Sequence, residues 1–227
     1  MTKPAPDPRA VREASLDELE RLGLPLPPAG FPLVWEPGDG VELRPTREIE
    51  ARAAVLHIVV ARCFGMPTET AMGWLLASHL VDAVTPPEWQ FVMGAKGDHR
   101  SFVMHHDAVF ALAWILGLSR HLDPTAPPED RLMRQMPNLP AGETFDRWRS
   151  RTLVAPRDAV EVAVLLDLYY CLDWAFQSDE QAGVQPPGEV DGNAIGQRRW
   201  ALEWAVVFRG PYHDDQPPGW EEVDLST

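Results

Sequence analysis

Proline decides where this chain can be regular. It has 23 prolines in 227 residues, about twice the usual share. They gather in short clusters: "LPLPPAGFP", "TPPE", "DPTAPPED", "MPNLP", "QPPG" and "DDQPPG". A helix cannot run through such a cluster, because proline lacks the N–H that the ladder needs and its ring clashes with the preceding turn. The segments between clusters space their apolar residues by three and four, the period of a helix. Short helices joined by stiff connections are therefore what the chain can build.

The segments can be taken in order. In "SLDELERLG", Ser15 and Glu18 have capping-box spacing and Gly23 suits a C-terminal stop. "PTREIEARAAVLHIVVARCFG" aligns Ile49, Ala53, Leu56, Val60 and Cys63, and its extra Val55, Ile58 and Val59 imply cover on most sides. "TETAMGWLLASHLVDAV" reads as a third helix, and "TPPEWQFVMG" as a fourth with Thr85, Pro86 and Glu88 at its start. "SFVMHHDAVFALAWILGL" is a fifth and "PRDAVEVAVLLDLYYCLDWAFQ" a sixth. "NAIGQRRWALEWAVVF" is read as a final helix running through Phe208. Only "PLVWEP" and "VELRP" suggest short extended pieces. The expectation is an all-α fold, one multi-helix orthogonal or bundle-like domain over residues 1–227. Within it, residues 1–43 form an N-terminal arm with one short helix, 44–208 the helical core and 209–227 a tail.

Charge and cysteine usage narrow the classes of function. A formal net charge of -14 argues against nucleic acid and anionic membrane as partners, since both select basic patches. The longest apolar run, "AAVLHIVVA", is too short to cross a bilayer, and the N-terminus lacks the apolar stretch of a secretory signal. Cys63 and Cys171 sit within apolar helical runs without CxxC spacing, as buried free thiols do. A cytoplasmic location is expected.

His105-His106-Asp107 is the most conspicuous polar cluster. Successive helical residues turn by about 100°, so the three fan around the helix and cannot share one ion. No histidines stand four apart on a helix, and His99 and His106 are two turns apart, about 10 Å. Ligands from elsewhere, such as His57, His79 or Asp173, would be needed, so no metal and no cofactor are expected. His106 falls on an apolar stripe with Val103 and Phe110, where a hydrogen-bonded core histidine is the usual occupant. The tryptophans, Trp174 among them, suit either an aromatic-lined pocket or the filling between crossing helices. Arg198 and Arg199 are candidate anion binders, set against simple pairing with the surplus carboxylates. The five acids around His213 lack the order of a calcium loop. Phosphate loops, nucleophile elbows and dinucleotide fingerprints are absent, so no catalytic residue is assigned.

Taken together, "LRPTREIEARAAVL", "WLLASHLVDAVTPPEWQFV", "HDAVFALAWILGL", "LYYCLDWA", "QRRWALEWAV" and "WEEVDLST" resemble the bacterial domain of unknown function 4272 family. The resemblance extends from "REASLDELERLGLP" to Thr227 and implies a helical fold with no assigned activity. Before the fifth helix the family pattern resembles Trp-Arg-x-Glu, where this chain has Met104, His105, His106 and Asp107. In the sixth it resembles Tyr-Arg-x-His-Trp-Ala, and here Cys171 and Asp173 replace the arginine and histidine. The pattern Glu-Arg-Arg-x-Ala-Leu-Asn-Trp is better kept, as Gln197 to Trp204. In the ending, from Trp220 to Thr227, Ser226 replaces an aspartate. These departures favour a buried polar seam between helices, re-paired through His105, Asp107, Cys171 and Asp173, over a catalytic set.

Two functions are carried forward. The first is a non-catalytic protein-binding or accessory factor of immunity type, whose acidity would steer a basic partner. The second is an enzyme or small-ligand binder with a pocket between the helices bearing His105 or His106, Asp173 and Arg198. Within "GWEEVDLST", Trp220, Val223 and Leu225 are too apolar for a loose end, so the tail is expected to dock near the last helix.

Overall fold

The computed structural model describes residues 2–94, 99–128, 131–153, 155–211, 213 and 217–226. Parts of the joints "DPTAPPED" and "DDQPPG", and Thr227, lie outside the described residues. In chain order the elements are β1 (Lys3–Pro4), α1 (Pro8–Leu22), β2 (Gly40–Leu43), α2 (Thr46–Cys63), α3 (Thr68–Ala77) and α4 (Pro86–Val92). Then come α5 (His99–Ile115), α6 (Leu132–Gln135), α7 (Phe145–Thr152), α8 (Ala159–Ala182), α9 (Gly192–Ala205) and β3 (Val206–Arg209). Single 3-10 turns form at Val81–Ala83 and Trp220–Glu222. The fold is helical, as expected, with one small antiparallel sheet in the order β1-β2-β3.

The chain gathers into two compact units. The first comprises Met1–Arg44, Asp123–Pro127 and Arg157–Thr227. Here α8 packs against both α1 and α9, and the sheet lies against α8. The second comprises Pro45–Leu122 and Pro128–Pro156, and is built around α2 lying along α5. Nearly every residue of α2 from Ile49 to Val60 is buried, which agrees with its all-round apolar pattern.

Several boundaries differ from the sequence reading, each for a local reason. Helix α1 starts at Pro8 rather than at Ser15, because Asp7 caps it by accepting from the Arg9 N–H. Ser15 is mid-helix and donates to Asp167 Oδ2 at 2.7 Å. Its stop at Gly23 is as expected, with the left-handed φ of 74° that glycine accepts without strain. The third helix ends early, at Ala77. His79 takes φ 54°, a place usually held by glycine, while the Leu80 N–H closes on the Leu75 carbonyl. The Thr85/Glu88 capping box forms as read.

Helix α7 escaped the sequence reading, since its eight residues offer only Phe145 and Trp148 as an apolar face. Both are fully buried, and the Trp148 indole donates to the Gln135 carbonyl at 2.7 Å. The last helix stops at Ala205 instead of Phe208. Val206 to Arg209 pair antiparallel with Leu43 to Gly40, so "VELRP" is a strand because "VVFR" supplies its partner.

The tail docks on α9. Trp220 is buried, stacked on Trp200 with centroids 5.0 Å apart and edge-on to Trp204 at 5.5 Å. The Trp200 indole donates to the Trp220 carbonyl at 2.8 Å. Burying most of an indole stabilises by roughly 2–3 kcal/mol. Deleting residues 219–227 should therefore lower the thermal midpoint by about 5–10 °C for a chain of this size. A calorimetric melt of the truncated chain checks it, and an unchanged midpoint would refute it.

Candidate functional site

The residues singled out from sequence divide between the units. His105, His106 and Asp107 lie on α5 in the second unit. His105 is the buried one, its ring edge-on to Phe102 at 5.6 Å, while His106 and Asp107 are only half-buried. His106, expected on the buried stripe, therefore sits beside it. Asp173, Trp174, Arg198 and Arg199 belong to the first unit.

In the first unit the arginines are occupied. Arg199 is fully buried and donates to Asp173 Oδ2 at 2.6 Å, to Glu203 Oε2 at 3.1 Å and to the Leu225 carbonyl at 3.1 Å. Its guanidinium also lies 4.6 Å from the centre of the Tyr170 ring. Arg198, equally buried, donates to the carbonyls of Asp123 at 2.7 Å and Ala126 at 2.9 Å. Donors committed to the protein's own acceptors do not greet an incoming anion. Trp174 rests edge-on to Phe31. Asp173 on α8 thus pairs with Arg199 on α9.

Other buried charges are paired in the same way. Arg12 donates to Asp167 Oδ1 at 2.7 Å, Arg52 to Glu88, and Arg149 to Glu50 Oε2 at 2.5 Å. Burial raises the thiols of Cys63 to about 11 and Cys171 to about 12, so both stay protonated and poorly nucleophilic at neutral pH. Among the described residues no group of three or more His, Cys, Asp or Glu side chains could hold a metal ion. Removing Asp167 strands a buried guanidinium, so Asp167→Ala should cost about 3–5 kcal/mol in urea unfolding. A loss below about 1 kcal/mol would show the pair to be dispensable.

The second unit holds an open groove of about 750 Å³ that the sequence did not announce. One wall is the end of α2 and the turn after it, with Ala61, Phe64 and Met66; the other is the segment carrying Met133, Met136 and Leu139. Gly65, at φ 91°, lets the first wall turn sharply, and the Arg62 guanidinium holds the Met66 carbonyl. Glu143 braces the second wall: it accepts from the Asn138 N–H at 2.8 Å and from Arg151 Nε at 2.8 Å. Its hydrogen bonds with Arg151 hold the Glu143 carboxyl below the usual range. Phe64 stands on the rim, 77% exposed.

His57 is the buried polar group of this groove, only 7% exposed, with Nε2 3.1 Å from the Pro137 carbonyl. That contact makes Nε2 the donor, and Nδ1 is left buried without a hydrogen-bond partner among the described residues. Burial, with a smaller push from His106, lowers the imidazole to about 4. The ring is therefore neutral at physiological pH. Its folded value lies below the unfolded one, so its stability contribution is complete above about pH 6.5 and lost as pH falls towards 4. Wild type should lose about 3 kcal/mol more than His57→Gln between pH 7 and pH 4 in urea titrations. Parallel losses in the two proteins would refute the depressed value.

Comparison with known proteins adds a family. The family model described as a domain of unknown function, DUF4272, matches residues 11–223, and the chain belongs to that family. No curated protein and no solved structure matches it.

Proposed function

We propose that this DUF4272 member is a non-catalytic accessory protein that works by binding, and that its groove in the second unit receives an apolar segment of a partner protein. The observation that carries this reading is the open groove with Phe64 exposed on its rim. Aromatic side chains left in water beside a concave apolar surface are characteristic of binding sites. Three methionines, Met66, Met133 and Met136, line it, and such flexible, polarisable side chains adapt to the shape of what enters. The chemistry available there favours binding over turnover. His57 is neutral and buried, and no carboxylate lines the groove among the described residues.

The acidity of the chain complements this reading. At -14, the long-range field speeds encounter with a basic protein and disfavours nucleic acid and anionic membranes. No helix of the described residues is long and apolar enough to cross a membrane, and a bacterial, cytoplasmic setting fits the proposal. An enzyme or small-ligand binder is the second reading, favoured by the groove's volume, which lies in the range of ligand pockets.

Tagged wild type and Phe64→Asp, each recovered from native cells and quantified by mass spectrometry, separate these outcomes. A protein partner retained by wild type should fall at least tenfold with the variant. Phe64 is largely exposed, so the substitution should change stability by no more than about 0.5 kcal/mol. Equal recovery with both proteins would remove the groove from the function.

A further inference from the structure

The groove's charge pattern says more about what enters it. This chain has 34 acidic residues against 20 basic ones, and many of its surface arginines have found carboxylates: Arg21 with Glu18, Arg157 with Glu161, Arg209 with Glu42. Arg134, exposed on α6 and lining the groove, has no carboxylate partner among the described residues. Around it the walls present methionine, proline and leucine, with Asn138 and Thr70 as uncharged polar neighbours. Such a guanidinium beside an apolar trough offers a planar pair of donors, matched by a carboxylate.

We infer that the groove recognises an apolar peptide segment carrying an internal aspartate or glutamate, whose carboxylate pairs with Arg134 while its apolar side chains occupy the space between Phe64 and Met136. The inference rests on the proposed reading of the groove as a site for a partner segment, and it adds the chemistry of that segment. The overall negative charge does not oppose it at contact range. Beyond roughly 8 Å the field of distant carboxylates is screened at physiological ionic strength, whereas Arg134 would touch the ligand directly. The long-range field thus chooses a protein that is basic overall, and Arg134 chooses an acidic residue within the inserted segment. His57 supports this division, because a neutral imidazole leaves Arg134 as the only charged side chain lining the groove among the described residues.

The test is a random peptide library, displayed with blocked C-termini, selected on wild type, on Arg134→Glu and on Phe64→Asp. Matching thermal melts of the three proteins confirm that each is folded. Wild type should enrich peptides with two or more large apolar residues and an aspartate or glutamate at a fixed spacing from them. Peptides chosen on wild type should bind Arg134→Glu at least tenfold more weakly by fluorescence anisotropy, and selection on that variant should shift to lysine or arginine. Enrichment of apolar peptides without an acidic position, or the same peptides on wild type and Arg134→Glu, would overturn the inference and leave the groove reading intact. No enrichment on wild type beyond that on Phe64→Asp would overturn both.

Discussion

A guanidinium taken out of water must be given partners, and among the described residues Arg12, Arg52, Arg198 and Arg199 are each under a tenth exposed. Leaving one unpaired would cost several kcal/mol, a large part of the net stability of a chain this size. Each donates to residues far along the sequence. Arg12 reaches Asp167 on α8, Arg52 reaches Glu88 and the Ala83 carbonyl, and Arg199 reaches Asp173 and the tail. Because the guanidinium is planar and its donors are fixed in direction, these contacts set register as well as proximity. Tyr170 joins two of them, with Arg199 4.6 Å and Arg12 5.7 Å from its ring centre.

Burial also bears on chemistry, because it holds the Cys63 and Cys171 thiols near 11 and 12, where they are poor nucleophiles. In the second unit an apolar trough opens between the α2 turn and the Met133–Pro140 segment. That segment could not hold its shape by propensity alone. Pro137 and Pro140 remove backbone donors, and Glu143 restores order by capping the Asn138 N–H and tying Arg151 across to the same carboxylate.

The proline clusters and the three-and-four spacing were enough to locate the larger helices, the capping box at Thr85 and Glu88, the glycine stop at Gly23 and the docking of Trp220, because each follows from local sterics or from burial of a ring. Local pattern also gave α2 its all-round burial. It failed where a contact distant in sequence outweighed propensity. Val206 to Arg209 continue a helical pattern, yet they form a strand because Gly40 to Leu43 offer hydrogen bonds there. Ser15 looks like a cap, yet Asp167 claims its hydroxyl in mid-helix. Arg199 pairs with Asp173 and Arg198 with chain carbonyls, partners that no spacing rule could reveal. The sequence by itself determined helical class, punctuation and acidity, all properties of neighbouring residues. Tertiary structure alone decided which charges are spent in pairs and where a groove stays open, because both depend on side chains brought together from segments tens of residues apart.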